Sequence, residues 1–294
     1  MTDTGVSGFS ARMCFQTALP IDTGATPVAF LDENLALKGE LIRSQGTYGT
    51  RSYHKERTRT GKQVVAGTIN AEVTPALLVF ILPRILGADA SGTTFALAEA
   101  LPAFQIAIDR GTKVFTYADC VISKATFKGA AGGQVTVALD ILGVSETVGT
   151  DFPTLTVPVD VPYIFSDGAL SLASTAYQMM DFELSIDNKC EARWTNSNSA
   201  TRIAPVDMRE VALSLTTPFT STEYALYNTA IAGIAGSVTI TNGTVSCTFT
   251  LANLQAPPES PVVAGKGEIP LKLNYMAGMT GTTKELVVTN DSTV

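Results

Sequence analysis

Runs in which apolar residues alternate with polar ones recur along the whole chain. The clearest lie at residues 134–141, 182–186, 211–215, 237–241 and 269–275. Each places Val, Ile or Leu on one side and Thr, Ser or a charged residue on the other. This period of two predicts strands of antiparallel sheets that bury one face.

Two segments break this alternation and predict short helices. Residues 74–87 have Thr at the N-cap position, Pro at the first helical position and Gly just past the end. Apolar side chains on nearly every side of this helix predict that it is buried. In the second segment, residues 220–233, Thr220 and Glu223 have the spacing of a capping box, and a Gly stands at the end.

The two halves of the chain resemble each other in the order of these elements. A strand followed by Thr-Pro leads into each helix, and Pro75 and Pro218 lie 143 positions apart. Glu40 and Glu183, in an upstream run, have the same separation. A Gly-bounded strand closes each half, with the separation reduced to 134 positions. This shared order indicates an internal duplication.

We therefore predict a mainly β fold with two tandem β-sandwich or barrel domains, each flanked by one short α-helix. The boundary is placed in an extended segment spaced by Pro153, Pro158 and Pro162, which suits a linker or a crossing strand. The first domain then covers residues 1–155 and the second covers residues 156–294.

Composition narrows the functional classes. The 294-residue chain is 45% hydrophobic, which provides for a large core, but only 16% charged, against about 25% in soluble domains. Much of its surface must therefore be uncharged polar residues or be covered by partner subunits. The formal net charge of −7 removes a general attraction to nucleic-acid phosphates. The longest apolar stretch, residues 75–87, is too short to span a bilayer, so no membrane partner is expected.

Charge is distributed unevenly along the chain. Residues 1–150 hold 13 basic and 13 acidic residues, whereas residues 151–294 hold 7 and 14. A polar connection at residues 43–63 predicts an extended β-hairpin or a mobile arm. Its candidate contact residues are Arg51, Tyr53, His54, Lys55, Arg57, Arg59 and Lys62. A solvated surface loop is the plainer alternative, and the acidic total disfavours a nucleic-acid patch. A basic arm on one subunit and an acidic body on the next can dock by complementary charge.

No catalytic or metal-binding constellation is evident in the sequence. His54 is the only histidine, and Cys14, Cys120, Cys190 and Cys247 form no C-x-x-C pair. The cysteines are expected to be small buried hydrophobes in a reducing compartment. Isolated aspartates cannot be paired into an acid/base couple, and nucleophile-elbow and phosphate-loop motifs are missing. We therefore predict no enzyme activity, no cofactor and no metal.

Three smaller features have structural interpretations. The Gly-rich residues 129–133 predict a hairpin turn rather than a phosphate-binding loop. Asp187 and Asn188 predict a turn, because Asn tolerates the left-handed conformation. Trp194 precedes a polar loop, and half-buried packing is favoured over a role as a contact anchor.

Six motifs follow one another in an order that is more specific than any one of them. They read GTINAEVTPALL from Gly67, PRILG from Pro83, YADCVISKA from Tyr117, GQVTVALDI from Gly133, FELSIDN from Phe182 and EIPLKL from Glu268. In this order they resemble the tail tube (major tail) proteins of long-tailed bacteriophages, and the resemblance covers most of the chain.

The resemblance implies a β-sandwich flanked by one helix, six of which form a ring whose inner sheets close into a barrel. Rings stack into the tube through which the DNA genome leaves the virion without being bound specifically. Where a member carries the domain twice, three chains form a pseudo-hexameric ring, and the duplication places this chain in that group. A long hairpin arm in this family reaches the neighbouring ring, and residues 44–62 match it in position. The second half lacks an equally long arm.

The resemblance also implies partners and a location. These are further copies of the chain, the tape measure, tail terminator and baseplate proteins, and the virion tail, assembled in the host bacterial cytoplasm. An acidic lumen lets DNA slide, and Asp140 and Glu268 are the candidate lumen-facing carboxylates. Two alternatives remain open. One is another ring-forming tail component, such as a baseplate hub or tail-completion protein. The other is a carbohydrate-binding or adhesin module, which the single Trp and 7% aromatic content disfavour.

Overall fold

Strands make up most of the protein. The computed structural model describes residues 7–47, 49–87, 93–156, 159–229, 232–243, 245–257, 260–263 and 265–291. The first half contains β1 (Arg12–Gln16), β2 (Thr26–Pro27), β3 (Phe30–Glu33), β4 (Ala36–Arg43), β5 (Thr58–Glu72), β6 (Thr94–Ala96), β7 (Phe104–Asp109), β8 (Val114–Ala130), β9 (Thr136–Gly143) and β10 (Ser145–Gly149). The second half contains β11 (Gly168–Leu172), β12 (Thr175–Tyr177), β13 (Asp181–Asp187), β14 (Cys190–Arg193), β15 (Arg202–Pro205), β16 (Glu210–Pro218), β17 (Ile234–Asn242), β18 (Val245–Gln255), β19 (Pro270–Ala277) and β20 (Leu286–Asn290). The helices are α1 (Pro75–Leu86) and α2 (Tyr224–Thr229).

The mainly β prediction is confirmed. All five predicted strands are present, as β9, β13, β16, β17 and β19. Strand β9 shows how alternation acts, because Val137, Leu139 and Ile141 are buried while the residues between them, Asp140 included, are half-buried. The predicted turn after β8 is also present, with Gly132 at a positive φ of 80°.

One antiparallel central sheet spans both halves. Its order is β3 and β4 beside β5, followed by β9, β8, β13, β16 and β19. Its buried side chains share one apolar core with α1 and with the strands of two flanking sheets. This arrangement is a β-sandwich, in which two sheet layers cover a common core.

The flanking sheets have the same strand order in the two halves. The first runs β2–β1–β7–β8–β10, and the second runs β12–β11–β17–β18–β20. In the first half β8 belongs to both layers. Its residues 114–120 pair in the flanking sheet and residues 121–130 pair in the central sheet. In the second half β18 leaves the flanking sheet to make two pairs with β19.

Among the described residues, two strand-to-strand ladders join the halves. Strand β8 pairs with β13 over seven residue pairs, and β6 of the first half extends the second flanking sheet beside β20. Between them, residues 150–156 and 159–162 contain neither strand nor helix. Pro158 of the predicted linker lies outside the described residues.

Helix α1 has the predicted ends. The Thr74 Oγ1 accepts a hydrogen bond from the Leu77 N–H at 3.3 Å, which satisfies one of the free N–H groups of the first turn. Gly87 terminates the helix in the left-handed conformation with φ 81°. Most side chains of the helix are buried, as predicted, although Val79 is 47% exposed.

Helix α2 begins later than predicted. It begins at Tyr224 rather than directly after Thr220, and its described part runs to Thr229. The side chains of Thr220 and Glu223 hydrogen-bond to each other, and the Thr220 Oγ1 also accepts the Thr222 N–H at 3.2 Å. The capping pair therefore orders the turn that precedes the helix.

Gly87 and Gly132 have nearly the same positive φ but differ in how much space surrounds them. A Cβ on Gly87 would lie 2.5 Å from the Ala100 carbonyl oxygen, whereas one on Gly132 would meet nothing within 4 Å. Gly132→Ala should lower the free energy of unfolding by about 1 kcal/mol, the cost of the left-handed conformation. Gly87→Ala should cost clearly more because it adds a clash. Urea unfolding followed by circular dichroism measures both, and equal losses would contradict this account.

Candidate assembly interface

The polar connection of residues 43–63 belongs to a long β-hairpin. Strand β4 pairs with β5 from Ala36–Ala66 to Arg43–Thr58, whereas β9 pairs with β5 only from Val65 onward. Residues 38–43 and 58–64 therefore form a two-stranded ribbon that continues beyond the central sheet. We call residues 37–64 the arm, of which all but Tyr48 are described.

The arm exposes both charge and apolar surface. All seven predicted contact residues are exposed: Arg51, Tyr53, His54, Lys55, Arg57, Arg59 and Lys62. Leu41 and Ile42 are 65% and 61% exposed, although both stand in a strand. Exposed aliphatic side chains grouped with Tyr53 and basic residues are typical of a protein-binding surface.

The tip of the arm is an ordered basic loop. The Ser44 N–H donates to the Arg57 carbonyl oxygen at 3.1 Å, which continues the ribbon past the end of β4. The Arg43 guanidinium lies 5.4 Å from the Tyr53 ring centroid. A polar cleft within the loop is lined by Arg51 and His54, among other residues. The structure thus brings five of the predicted residues to the tip, and places Arg59 and Lys62 along β5.

The second half also has a hairpin between its corresponding strands. Strands β14 and β15 lie between β13 and β16, and they pair only with each other. This hairpin lies against β8 and β9 rather than extending away from the sheet. The expectation of a shorter second arm therefore needs a refinement, because the connection is long but is folded back.

The base of the arm contacts this folded hairpin. Trp194, which is half-buried as predicted, donates its Nε1–H to the Gln63 carbonyl oxygen at 3.2 Å. The Lys62 ammonium lies 4.9 Å from the centroid of the same ring. No sequence pattern connects residues that are 131 positions apart, so this contact was not predictable.

The outer face of the central sheet is polar and carries paired charges. Asp140 accepts the Thr68 hydroxyl at 2.6 Å, and the Lys128 ammonium lies 3.1 Å from a Glu183 oxygen. Lys189 lies 2.8 Å from Asp187 and also binds Glu210, at 3.0 Å.

Hydrogen bonding sets the ionisation of this lysine and its aspartate. Hydrogen bonds to Asp187 and Glu210 raise the pKa of Lys189. Burial alone would raise the pKa of Asp187, but the hydrogen bonds from Lys189 outweigh it and lower that pKa. Both groups are therefore charged at neutral pH.

The two candidate lumen carboxylates have different positions. Asp140 lies on the outer face of β9, beside Lys124 of β8 in register. Glu268 is exposed but precedes β19, which begins at Pro270. The residue 134 positions after Asp140 is Asn274, which is exposed on β19 and faces Ser214 of β16.

Two further properties of the described residues concern metal ligands and helix length. Among them, no three His, Cys, Asp or Glu side chains are grouped as metal ligands. Nor is any helix within these ranges long and apolar enough to cross a bilayer. The arrangement that stands out is a sheet with a polar outer face and a projecting arm, which suits assembly.

Comparison with known protein families identifies the chain. The sequence profile of the family described as phage tail tube protein matches residues 10–277. The chain belongs to the phage tail tube protein family. No curated protein matches it.

A tail tube protein is a structural component of the virion tail, where it assembles with itself and with other tail components. The family is structural rather than enzymatic. The features that remain to be explained in this tail tube protein are therefore its surfaces, namely the arm, the sheet edges and the polar face.

Thiol reactivity provides a test of the core of this tail tube protein. All four cysteines are free and buried. Burial raises the pKa of Cys14 and Cys190 to about 11, and it also raises the pKa of Cys120 and Cys247. Ellman's reagent at pH 8 should not react with the native protein, and should find four thiols after denaturation.

The same shifts predict a pH dependence. Because burial raises the thiol pKa above its ordinary value of 9.0, the folded state favours the protonated thiol. Its contribution to stability is complete below pH 9 and is lost as the pH rises toward 11. Urea unfolding at pH 7, 9 and 10.5 measures this, and undiminished stability at pH 10.5 would contradict it.

Proposed function

We propose that three copies of this tail tube protein close a ring of six repeated units, and that rings stack through the arms into a hollow tube. The tube conducts the DNA genome during ejection. The observation that carries the proposal is the β8–β13 junction, which joins two halves of equal strand order into one central sheet.

The equal strand order supports a tandem duplication with a boundary near residue 155. Strands β4, β5 and β9 are paired in sequence in the first half, as are β13, β16 and β19 in the second. Each helix follows the middle strand of its set. Two repeats that already pair edge to edge within one chain provide the pattern for pairing between chains.

The edges of the central sheet support closure into a ring. Within the described residues, β4 pairs only with β5. On the side away from β16, the pairs that β19 makes with described residues are at Met276 and Ala277 only. Open edges are sites for further strand pairing, and a closed ring removes them. In the proposed ring, the β19 edge of one chain meets the β4 edge of the next.

The outer face of the central sheet suits a DNA conduit. In the proposed ring this face lines the lumen, with Asp140 on it. Lys128 on this face pairs with Glu183, and Lys124 faces Asp140 in register. Matched lysines release few counterions to phosphates, so DNA is held weakly.

The same surfaces define partners at the ends of the tube. The tape measure, tail terminator and baseplate proteins would contact the lumen and the two terminal rings, and assembly would take place in the host bacterial cytoplasm. A baseplate hub or tail-completion protein would share the sandwich but form a single ring. Extended polymers therefore separate the tube from these alternatives.

Electron microscopy of the purified protein, alone and with its tail partners, tests the ring. We expect rings with threefold symmetry, six lobes and a central hole, together with stacked tubes. Native mass spectrometry should give a mass of three chains per ring. Persistent monomers under all conditions, or rings of six chains, would contradict the proposal.

Shortening the arm tests the inter-ring contact. Replacing residues 44–57 by Asn-Gly joins Arg43 to Thr58, which already face each other, through a favoured two-residue turn. The variant should fold with an unchanged unfolding midpoint, form rings, and fail to form tubes. Tubes of normal length would show that the arm is not the inter-ring contact.

A pair of charge reversals controls for electrostatics. Lys55→Glu changes the arm tip, and Lys113→Glu changes an equally exposed lysine in the β7–β8 turn. Both change the net charge by the same amount. Only the tip variant should slow tube growth, and light scattering measures the rates. Equal effects of both variants would attribute the loss to net charge alone.

A further inference from the structure

The loop between β14 and β15 contacts the arm where the arm leaves the central sheet. The Gln63 N–H donates to the Asn198 carbonyl oxygen at 2.7 Å, and the Ala200 N–H donates to the Gln63 carbonyl oxygen at 3.1 Å. Gln63 and Ser199 form a parallel bridge. With the Trp194 Nε1–H bond, three hydrogen bonds converge on one backbone unit of the arm.

This contact lies at the mechanical base of the arm. Strand β9 supports β5 only as far as Val65, so Gln63 is just beyond the last supported pair. The ribbon also has a register shift at Glu40, between Gly39 and Leu41, close to the position facing Gln63. A β-bulge bends a strand and changes its direction. Hydrogen bonds that hold the ribbon at this point can therefore set the direction in which the tip of the arm points.

The contacts at the base of the arm hold both backbone and side-chain groups. The Lys62 ammonium over the Trp194 ring, at 4.9 Å, adds a cation–π contact on the neighbouring residue. Lys62 is therefore held through its side chain, and Gln63 is held through its backbone. Contacts on two successive residues restrain movement of the ribbon at its base.

We infer that residues 194–200, which we call the clasp, fix the direction of the arm before it meets the neighbouring ring, and that Trp194 is the positioning residue of the clasp. This inference rests on the proposed role of the arm. A segment already ordered in its bound direction loses less entropy on docking, which strengthens association without a new contact. The folded-back hairpin of the second half thus serves the arm of the first half.

Trp194→Ala is the principal test. It removes the hydrogen bond to the Gln63 carbonyl oxygen and the cation–π contact, while the β14–β15 pairing remains. Hydrogen exchange of residues 37–64 should become faster, and the critical concentration for tube formation should rise roughly tenfold. Asn196→Ala, at an exposed position of the same loop, is the matched control and should leave both values unchanged.

Trp194→Phe is a second variant that keeps an apolar ring near Lys62 but removes the Nε1–H donor. It should give an intermediate exchange rate and a rise of roughly threefold in critical concentration. If Trp194→Ala does not fold, this variant alone decides the question. Wild-type assembly by a folded variant whose arm exchanges faster would overturn the inference, as would unchanged exchange in the arm.

The shortened arm keeps this result separate from the proposed function. If the protein with the Asn-Gly turn forms normal tubes, the role of the arm itself is wrong. If that protein fails to form tubes while Trp194→Ala assembles at the wild-type concentration, only the role of the clasp is wrong.

Discussion

The ladder between β8 and β13 is the interaction on which the rest of the structure depends. It joins two sets of strands into one sheet through seven backbone pairs, and the buried side chains beneath it, Phe127 and Leu184 among them, belong to one continuous core. The backbone hydrogen bonds of this ladder do not depend on which side chains lie on its polar face. The outer surface is thereby free to carry charges suited to assembly while the inner surface holds the fold.

The arm and the connection between β13 and β16 hold corresponding positions in the strand order of the two halves but differ in what they contact. One connects β4 to β5 and extends beyond the sheet. The other connects β13 to β16, lies back against β8 and β9, and contacts the base of the first. If each ring contains three chains, it has three projecting arms rather than six, and each of them is braced by its own chain. In the proposed assembly, one connection therefore projects and the other supports it.

The sequence was sufficient where structure depends on near neighbours. Alternation predicted β9, β13, β16 and β19 of the central sheet and β17 of a flanking sheet. Thr74 and Gly87 marked the ends of α1, because caps act within one turn. It was insufficient where partners are distant. The sequence predicted the left-handed conformation of a turn at Asn188, but the positive φ of 50° is found at Lys189. The side-chain amide of Asn188 instead donates to the Ile85 carbonyl oxygen and accepts a hydrogen bond from the Arg209 guanidinium. The passage of β8 from one sheet to the other could not be predicted from the sequence either. The strand bends near Asp119, which has a φ of 50° although it is not a glycine.

In the proposed ring, a subunit pairs through its sheet edges and must also avoid wrong pairing before it assembles. The β19 edge begins with Pro270, which has no N–H to offer a passing strand, and it carries Lys272 on the exposed face. Strand β4 carries Lys38 and Glu40. Charges and prolines on an edge weaken promiscuous pairing with any strand, yet leave pairing with a complementary edge intact. In the proposed ring, charges at the β4 and β19 edges therefore matter more than charges on a covered face, because these edges meet strands of other copies.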